Sequence, residues 1–126
     1  MKYLSDYMND KQSKLFKQTG AFFAFSQNQF DEQKKEGIKY TSIPGGMICP
    51  KENVETLLNG LTKIHKEGIE QDIAENGIDK IIIRELYNYE CFYTRDYSDV
   101  ISHLKSYDIT EEQIKKAFYK EAPNAE

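Results

Sequence analysis

Apolar positions along the chain follow two periods, and each period predicts an element. In residues 2–18, Leu4, Met8, Leu15 and Phe16 recur at helical spacing with Tyr3 and Tyr7 beside them, and Gly20 follows as a stop. Residues 21–25, Ala-Phe-Phe-Ala-Phe, form a short unbroken apolar run. Its length and aromatic content predict a strand buried on both faces. Ser26-Gln27-Asn28-Gln29 has the form of a capping box, which opens a short helix to about Glu36, anchored by Phe30, with Gly37 as its end. Residues 38–43 alternate, Pro44-Gly45-Gly46 is a turn signal, and Met47-Ile48-Cys49 is extended again. Together they predict a β-hairpin.

The clearest helix runs from Pro50 to Glu67, where Val54, Leu57, Leu58, Leu61, Ile64 and His65 recur three and four apart. Glu52 and Glu55 suit its positive N-terminal end. Gly68 marks a break or kink, and Ile69 and Ile73 carry the apolar face on to a stop at Asn76-Gly77. Residues 78–88 admit two readings. Ile81-Ile82-Ile83 favours a strand by propensity. Ile78, Ile82 and Leu86, with Ile83 and Tyr87, favour a helix, which is preferred because Arg84-Glu85-Leu86 follows without a turn signal. Cys91-Phe92-Tyr93-Thr94 reads as a strand. Asp96 caps a helix carrying Val100, Ile101 and Leu104, which ends at Asp108. Thr110-Glu111-Glu112-Gln113 is a second capping box and opens the last helix, with Ile114, Ala117 and Phe118 inward. The expected fold is α+β: a small, mainly antiparallel sheet of about four short strands with helices packed on it. Residues 1–122 read as a single domain and 123–126 as a loose tail.

The 126 residues allow one domain. Such a chain buries roughly two thirds of its unfolded surface, so it needs no metal or disulfide staple. No apolar run is long enough to span a membrane, and no apolar region follows Met1–Asp6 as a signal peptide requires. The expected setting is therefore the cytoplasm, of a bacterial host once the resemblance below is taken in. A net charge of −4 argues against a general nucleic-acid coat. The charge is uneven: residues 1–20 carry four lysines against two aspartates, and residues 51–79 carry three lysines against seven acids. The acidic stretch is either a solvated helix face or a surface that docks on a basic cleft of another protein. Cys49 and Cys91 belong to no CxxC pair and read as reduced core thiols. With only His65 and His103 besides, a zinc site is not expected, and no cofactor is implied.

Chemistry-bearing motifs are sparse. Gly45-Gly46 lacks the Lys and Ser or Thr of a phosphate loop and is explained by a turn. His65 lies on the apolar face of the main helix and reads as a boundary histidine; His103 reads as exposed. Arg84 to Glu90 is the densest polar cluster. It is either a structural ion pair or an anion clamp, Arg84, flanked by Glu85 and Glu90 as acids. Tyr87, Tyr89, Tyr93 and Tyr97 crowd the same region and suit a protein-binding surface. Lys11, Lys14 and Lys17, with Lys34 and Lys35, either contact phosphates or form a solvated face.

Four strings carry a resemblance: Gly20 to Ser26, Gly46 to Asn53, Gly68 to Gly77, and Arg84-Glu85-Leu86. Over residues 15–118 the chain resembles a family of small uncharacterised proteins of phages and mobile elements of Bacteroidota and gut bacteria. That family carries Asn-His-Glu after the Arg-Glu-Leu motif. Here the residues are Asn88, Tyr89 and Glu90, and the missing histidine weakens a catalytic or metal reading. The resemblance implies an inhibitor of host defence, similar to anti-CRISPR proteins and not an enzyme, that binds an RNA-guided nuclease or its guide complex. Its expected contacts are Glu67, Glu70, Asp72, Tyr87, Tyr89, Tyr93 and Tyr97. The alternative is a nucleic-acid-binding accessory protein of a mobile element using Lys11, Lys14, Lys17, Lys34 and Lys35. A third reading, an enzyme, would need Arg84, Glu85 and His65 to converge.

Overall fold

A computed structural model describes residues 1–125, which group into two compact units, Met1–Gly68 and the residues from Ile69 onward. The fold is α+β, 71% helical, with one small antiparallel sheet.

In the first unit, α1 (Leu4–Thr19) starts where the Asp6 carboxylate accepts the Tyr3 N–H at 2.8 Å. It ends at left-handed Gly20, whose N–H donates to the Phe16 carbonyl at 2.9 Å. After β1 (Phe22–Phe23), the Ser26 hydroxyl accepts the Gln29 N–H and opens α2 (Gln27–Gln33). Strands β2 (Tyr40–Ile43) and β3 (Met47–Pro50) form the expected hairpin, and the strand order is β1-β3-β2. A turn of 3₁₀ helix (Lys51–Asn53) then leads into α3 (Val54–Asn76). Strand alternation turns Ile43, Met47 and Cys49 toward the core of this unit, where they meet Leu15, Ala21, Leu57 and Ile64. On the other side of the sheet, Phe22, Phe30 and Tyr40 form a ring cluster with centroids 5.5–6.2 Å apart.

The second unit takes its first residues from the end of α3 and continues with α4 (Ile78–Asn88), α5 (Cys91–Thr94), α6 (Ser98–Leu104), a 3₁₀ turn (Lys105–Tyr107) and α7 (Glu111–Ala125). Ile81, Ile82, Leu86, Val100, Leu104 and Ile114 are its fully buried apolar side chains. The helical reading of residues 78–88 holds, because two of the three consecutive isoleucines and Leu86 face this core. The second capping box forms: Thr110 Oγ1 accepts the Gln113 N–H at 3.2 Å, and Gln113 Oε1 accepts the Thr110 N–H at 2.8 Å.

Several expectations are corrected. The sheet has three strands, not about four, because Cys91–Thr94 is a helical turn. Among the described residues the second unit contains no strand for it to pair with. The Ala21–Phe25 run is not buried on both faces: β1 is a two-residue edge strand that leaves Phe23 45% and Phe25 74% exposed. Helix α2 stops at Gln33, where Lys34 turns extended, and Leu58 faces solvent. The last helix runs through Pro123 to Ala125, where composition suggests a loose tail. Proline there removes an N–H from the final turns only. Glu126, the end of that tail, lies outside the described residues.

Gly68 is not a break, since α3 runs from Val54 to Asn76 through it. A Cβ at Gly68 would lie 2.9 Å from Met8 Cγ, and one at Gly60 2.7 Å from Leu15 Cδ2. These glycines let α1 and α3 approach closely, and that packing outweighs their helix-propensity cost of about 1 kcal/mol each. Gly60→Val should therefore overpack the α1–α3 contact and lower unfolding free energy by about 1–3 kcal/mol. Urea titration followed by circular dichroism measures it; an unchanged midpoint would mean that Leu15 swings aside at no cost.

Candidate protein-binding face

The second unit is built over a buried charge network. Asp72 near the end of α3 is fully buried, and Arg84 and Glu85 of α4 are only 6% and 2% exposed. Arg84 is held as a fork: Nη1 and Nη2 donate to the two Asp72 oxygens at 2.8 and 2.9 Å, and Nε donates to Glu85 Oε1 at 2.8 Å. The Tyr107 hydroxyl donates to Asp72 Oδ2 at 2.5 Å, and Asn76 Nδ2 to Oδ1 at 2.8 Å. His103 Nε2 lies 3.4 Å from Glu85 Oε2, so His103 is half-buried on this network rather than exposed as its position suggests. Burying three charges is costly unless each is paired and hydrogen-bonded, as they are here. Burial pushes the Asp72 carboxyl up, but bonds from Arg84, Tyr107 and Asn76 outweigh it and hold its pKa below the usual range. Burial and the Asp72 carboxylate both raise the Tyr107 hydroxyl well above its ordinary value.

Asp72 therefore cannot be the partner contact the sequence suggests: it is a structural anion. Arg84 and Glu85 take the structural-ion-pair reading, the Arg84 Nε and both terminal nitrogens being spent on carboxylates. The sequence placed both in a polar cluster but held no sign of the long-range partners Asp72 and Tyr107.

Above this base the chain turns sharply. α4 ends where the Tyr89 N–H donates to the Glu85 carbonyl at 3.0 Å. Glu90 and Arg95, on either side of the four-residue α5, both adopt left-handed backbone (φ 55° and 63°). Each such non-glycine residue costs about 1–2 kcal/mol, and strain of this kind concentrates at functional segments. Cys91 plugs the turn into the core at 1% exposure, while Tyr93 on the same turn is 89% exposed.

The four tyrosines divide into two pairs. Tyr97 packs at 5.1 Å on buried Phe118, which stacks on Phe92 at 5.1 Å and 3°. Tyr87 leans on Phe92 at 4.9 Å, and its hydroxyl donates to Glu121 Oε1 at 2.9 Å. These two are partly structural. The other two are Tyr89, 39% exposed with its ring 5.8 Å from that of His103, and Tyr93, 89% exposed; Tyr87 itself keeps 46% of its surface exposed. Burial, and after it the nearby Glu85 and Asp99 carboxylates, raise the Tyr89 hydroxyl pKa.

The remaining candidates are dispersed. Glu67 belongs to the first unit and pairs with Lys11 at 3.4 Å and Lys63 at 3.9 Å. Glu70 is exposed on α3. Lys34 pairs with Asp31 at 3.3 Å and lies over the Phe30 ring, while Lys14, Lys17 and Lys35 are exposed. His65 is half-buried on α3 in the first unit. Cys49 and Cys91 are free and buried. No helix among the described residues is long and apolar enough to cross a membrane.

A family of unknown function, DUF7659, matches residues 4–121. The chain belongs to DUF7659. Comparison with curated proteins finds no match, and neither does comparison with solved structures. The DUF7659 match spans both units, so the buried network and the tyrosine turn lie within the family's extent.

The network makes stability of this DUF7659 chain depend on pH at both ends. Asp72 has a depressed folded pKa, so its contribution is complete above the unfolded value near 4 and is lost as pH falls. Tyr107 has a raised folded pKa, so its contribution is complete below about 10 and is lost as pH rises. Asp72→Asn should cost about 3–5 kcal/mol at neutral pH and flatten the acid limb. Tyr107→Phe should cost about 1.5–3 kcal/mol and flatten the alkaline limb. Denaturant titrations between pH 3 and 11 measure both; equal slopes for wild type and variants would show that the network does not govern stability.

Proposed function

We propose that this DUF7659 protein is a non-enzymatic inhibitor encoded by a phage or mobile element, which docks on a host RNA-guided nuclease or its guide complex in the manner of an anti-CRISPR protein and acts in the bacterial cytoplasm. The observation that carries the protein-binding part is the exposure of Tyr89 and Tyr93 on a turn anchored by buried Cys91 and following the hydrogen-bonded Arg84 network. Tyrosine contributes large contact area at small entropy cost, and a rigid mount lowers the cost of association further. The polar groups best suited to catalysis, Arg84 and Glu85, are engaged with each other and with Asp72, which favours a binding role over an enzymatic one. The defence target and the mobile-element origin rest on the sequence resemblance. The nucleic-acid reading is less favoured, because Lys11 and Lys34 already face carboxylates.

The experiment is capture by the tagged protein from a lysate holding the host's defence systems, followed by cleavage assays on any captured nuclease. Tyr93→Ala and Tyr89→Ala should each weaken inhibition by about 30-fold or more if they are binding hot spots. At 89% exposure Tyr93 should move stability by no more than about 0.5 kcal/mol. Full inhibition by both folded variants would remove this face from the mechanism. An eluate holding RNA alone would replace the inhibitor with a nucleic-acid-binding protein.

A further inference from the structure

Charge separates between the two units. From Ile69 onward the chain has thirteen acidic and seven basic residues, whereas the first 68 have eight acidic and ten basic. Within the second unit Asp72, Arg84 and Glu85 are buried, so most of the acidic excess is carried at the surface. On the tyrosine turn, residues 89–99 hold Glu90, Asp96 and Asp99, all exposed, against the single base Arg95. In sequence Tyr89 and Tyr93 alternate with these carboxylates, and Asp99 lies close enough to Tyr89 to disfavour its ionisation. Planar rings interleaved with anions are the inverse of a groove for single-stranded nucleic acid, which combines cations with stacking aromatic side chains.

We infer that the exposed segment carrying Tyr89, Glu90, Tyr93 and Asp99 docks on a lysine- and arginine-rich surface that its partner otherwise uses to hold single-stranded nucleic acid. This rests on the protein-binding reading above and adds the partner's chemistry and the mode of inhibition, competition for that basic surface. Tyrosine rings take the positions of bases against arginine and aromatic side chains, and the carboxylates take those of phosphates. Opposite charges also speed encounter, and the attraction weakens as salt screens it.

The chain contains no tryptophan, so a tryptophan-bearing peptide reports its own binding by fluorescence. The probes are a fifteen-residue peptide rich in lysine, arginine and tryptophan, and a neutral analogue with serine in place of each base. The basic peptide should bind, weaken steeply between about 50 and 200 mM salt, and be displaced from the protein by a uridine oligonucleotide that takes its cations. Glu90→Gln/Asp99→Asn should weaken binding about 5- to 10-fold. The control Glu111→Gln/Glu112→Gln, an equal change of charge at the start of α7, should change it less than about 2-fold. Circular dichroism melts establish that each variant is folded, and Tyr93→Ala, which removes no charge, should weaken binding independently.

Equal loss in face and control variants would overturn the inference, because net charge alone would then account for binding. Equal binding of the neutral peptide, or no binding of the basic one at low salt, would also overturn it. If the basic peptide fails while Tyr89→Ala and Tyr93→Ala still abolish nuclease inhibition, the protein-binding reading stands and only the partner's chemistry is wrong. If those tyrosine variants inhibit fully as well, both fall.

Discussion

The fork between Arg84 and Asp72 is the interaction on which the second unit depends. It joins the end of α3 to α4 across a fully buried carboxylate, and the Tyr107 hydroxyl closes the same site from the turn after α6. Three elements are thereby fixed around one anion. A purely apolar junction would be as stable or more so, since buried ion pairs seldom outperform well-packed hydrocarbon. What the network supplies is position. Bidentate geometry admits one orientation of the guanidinium toward Asp72, and Glu85, its neighbour on α4, holds the Nε side of the fork. The last turn of that helix, with Tyr87 and Tyr89, inherits this placement.

Rigidity at the base explains how the following turn holds a strained backbone. Glu90 and Arg95 both take left-handed conformations, at positions where glycine would cost nothing. The burial of Cys91 and the pile of Phe92, Tyr97 and Phe118 offset that cost. The product is a short helical turn with one side chain in the core and Tyr93 in solvent.

Local signals in the sequence were legible wherever a few neighbouring residues decide the outcome. Ser26 and Thr110 announce their helix starts, Pro44-Gly45-Gly46 announces the hairpin, and the helical spacing of Ile78, Ile82 and Leu86 prevails over the β-propensity of three isoleucines. Failures arose where tertiary partners decide. Gly68 looks like a breaker but is a contact point for Met8. Cys91–Thr94 looks like a strand, but a strand needs a partner edge, and its own unit provides none among the described residues. Asp72 sits in a run of exposed acids and differs from them only through Arg84, twelve residues on, and Tyr107, thirty-five residues on. The tyrosine cluster was visible as composition. Its packing was not, because the rings that Tyr87 and Tyr97 lean on, Phe92 and Phe118, come from other helices.

Acidic and aromatic character in one unit bears on what kind of recognition is available to it. Hydrophobic contact alone would favour any apolar patch, and charge alone would favour any basic one. The two together discriminate, because a partner must offer cations and ring-stacking side chains in the same place to satisfy both. The exposed carboxylates of this segment, Glu90, Asp96 and Asp99, also oppose pairing of the segment with its own copy, since like charges would be brought together. The same electrostatics disfavours direct nucleic-acid binding here, because phosphates would be repelled by Glu90, Asp96 and Asp99. On the proposed reading, repulsion of nucleic acid and attraction to the cationic surfaces that hold it act together, so the protein competes with nucleic acid for those surfaces.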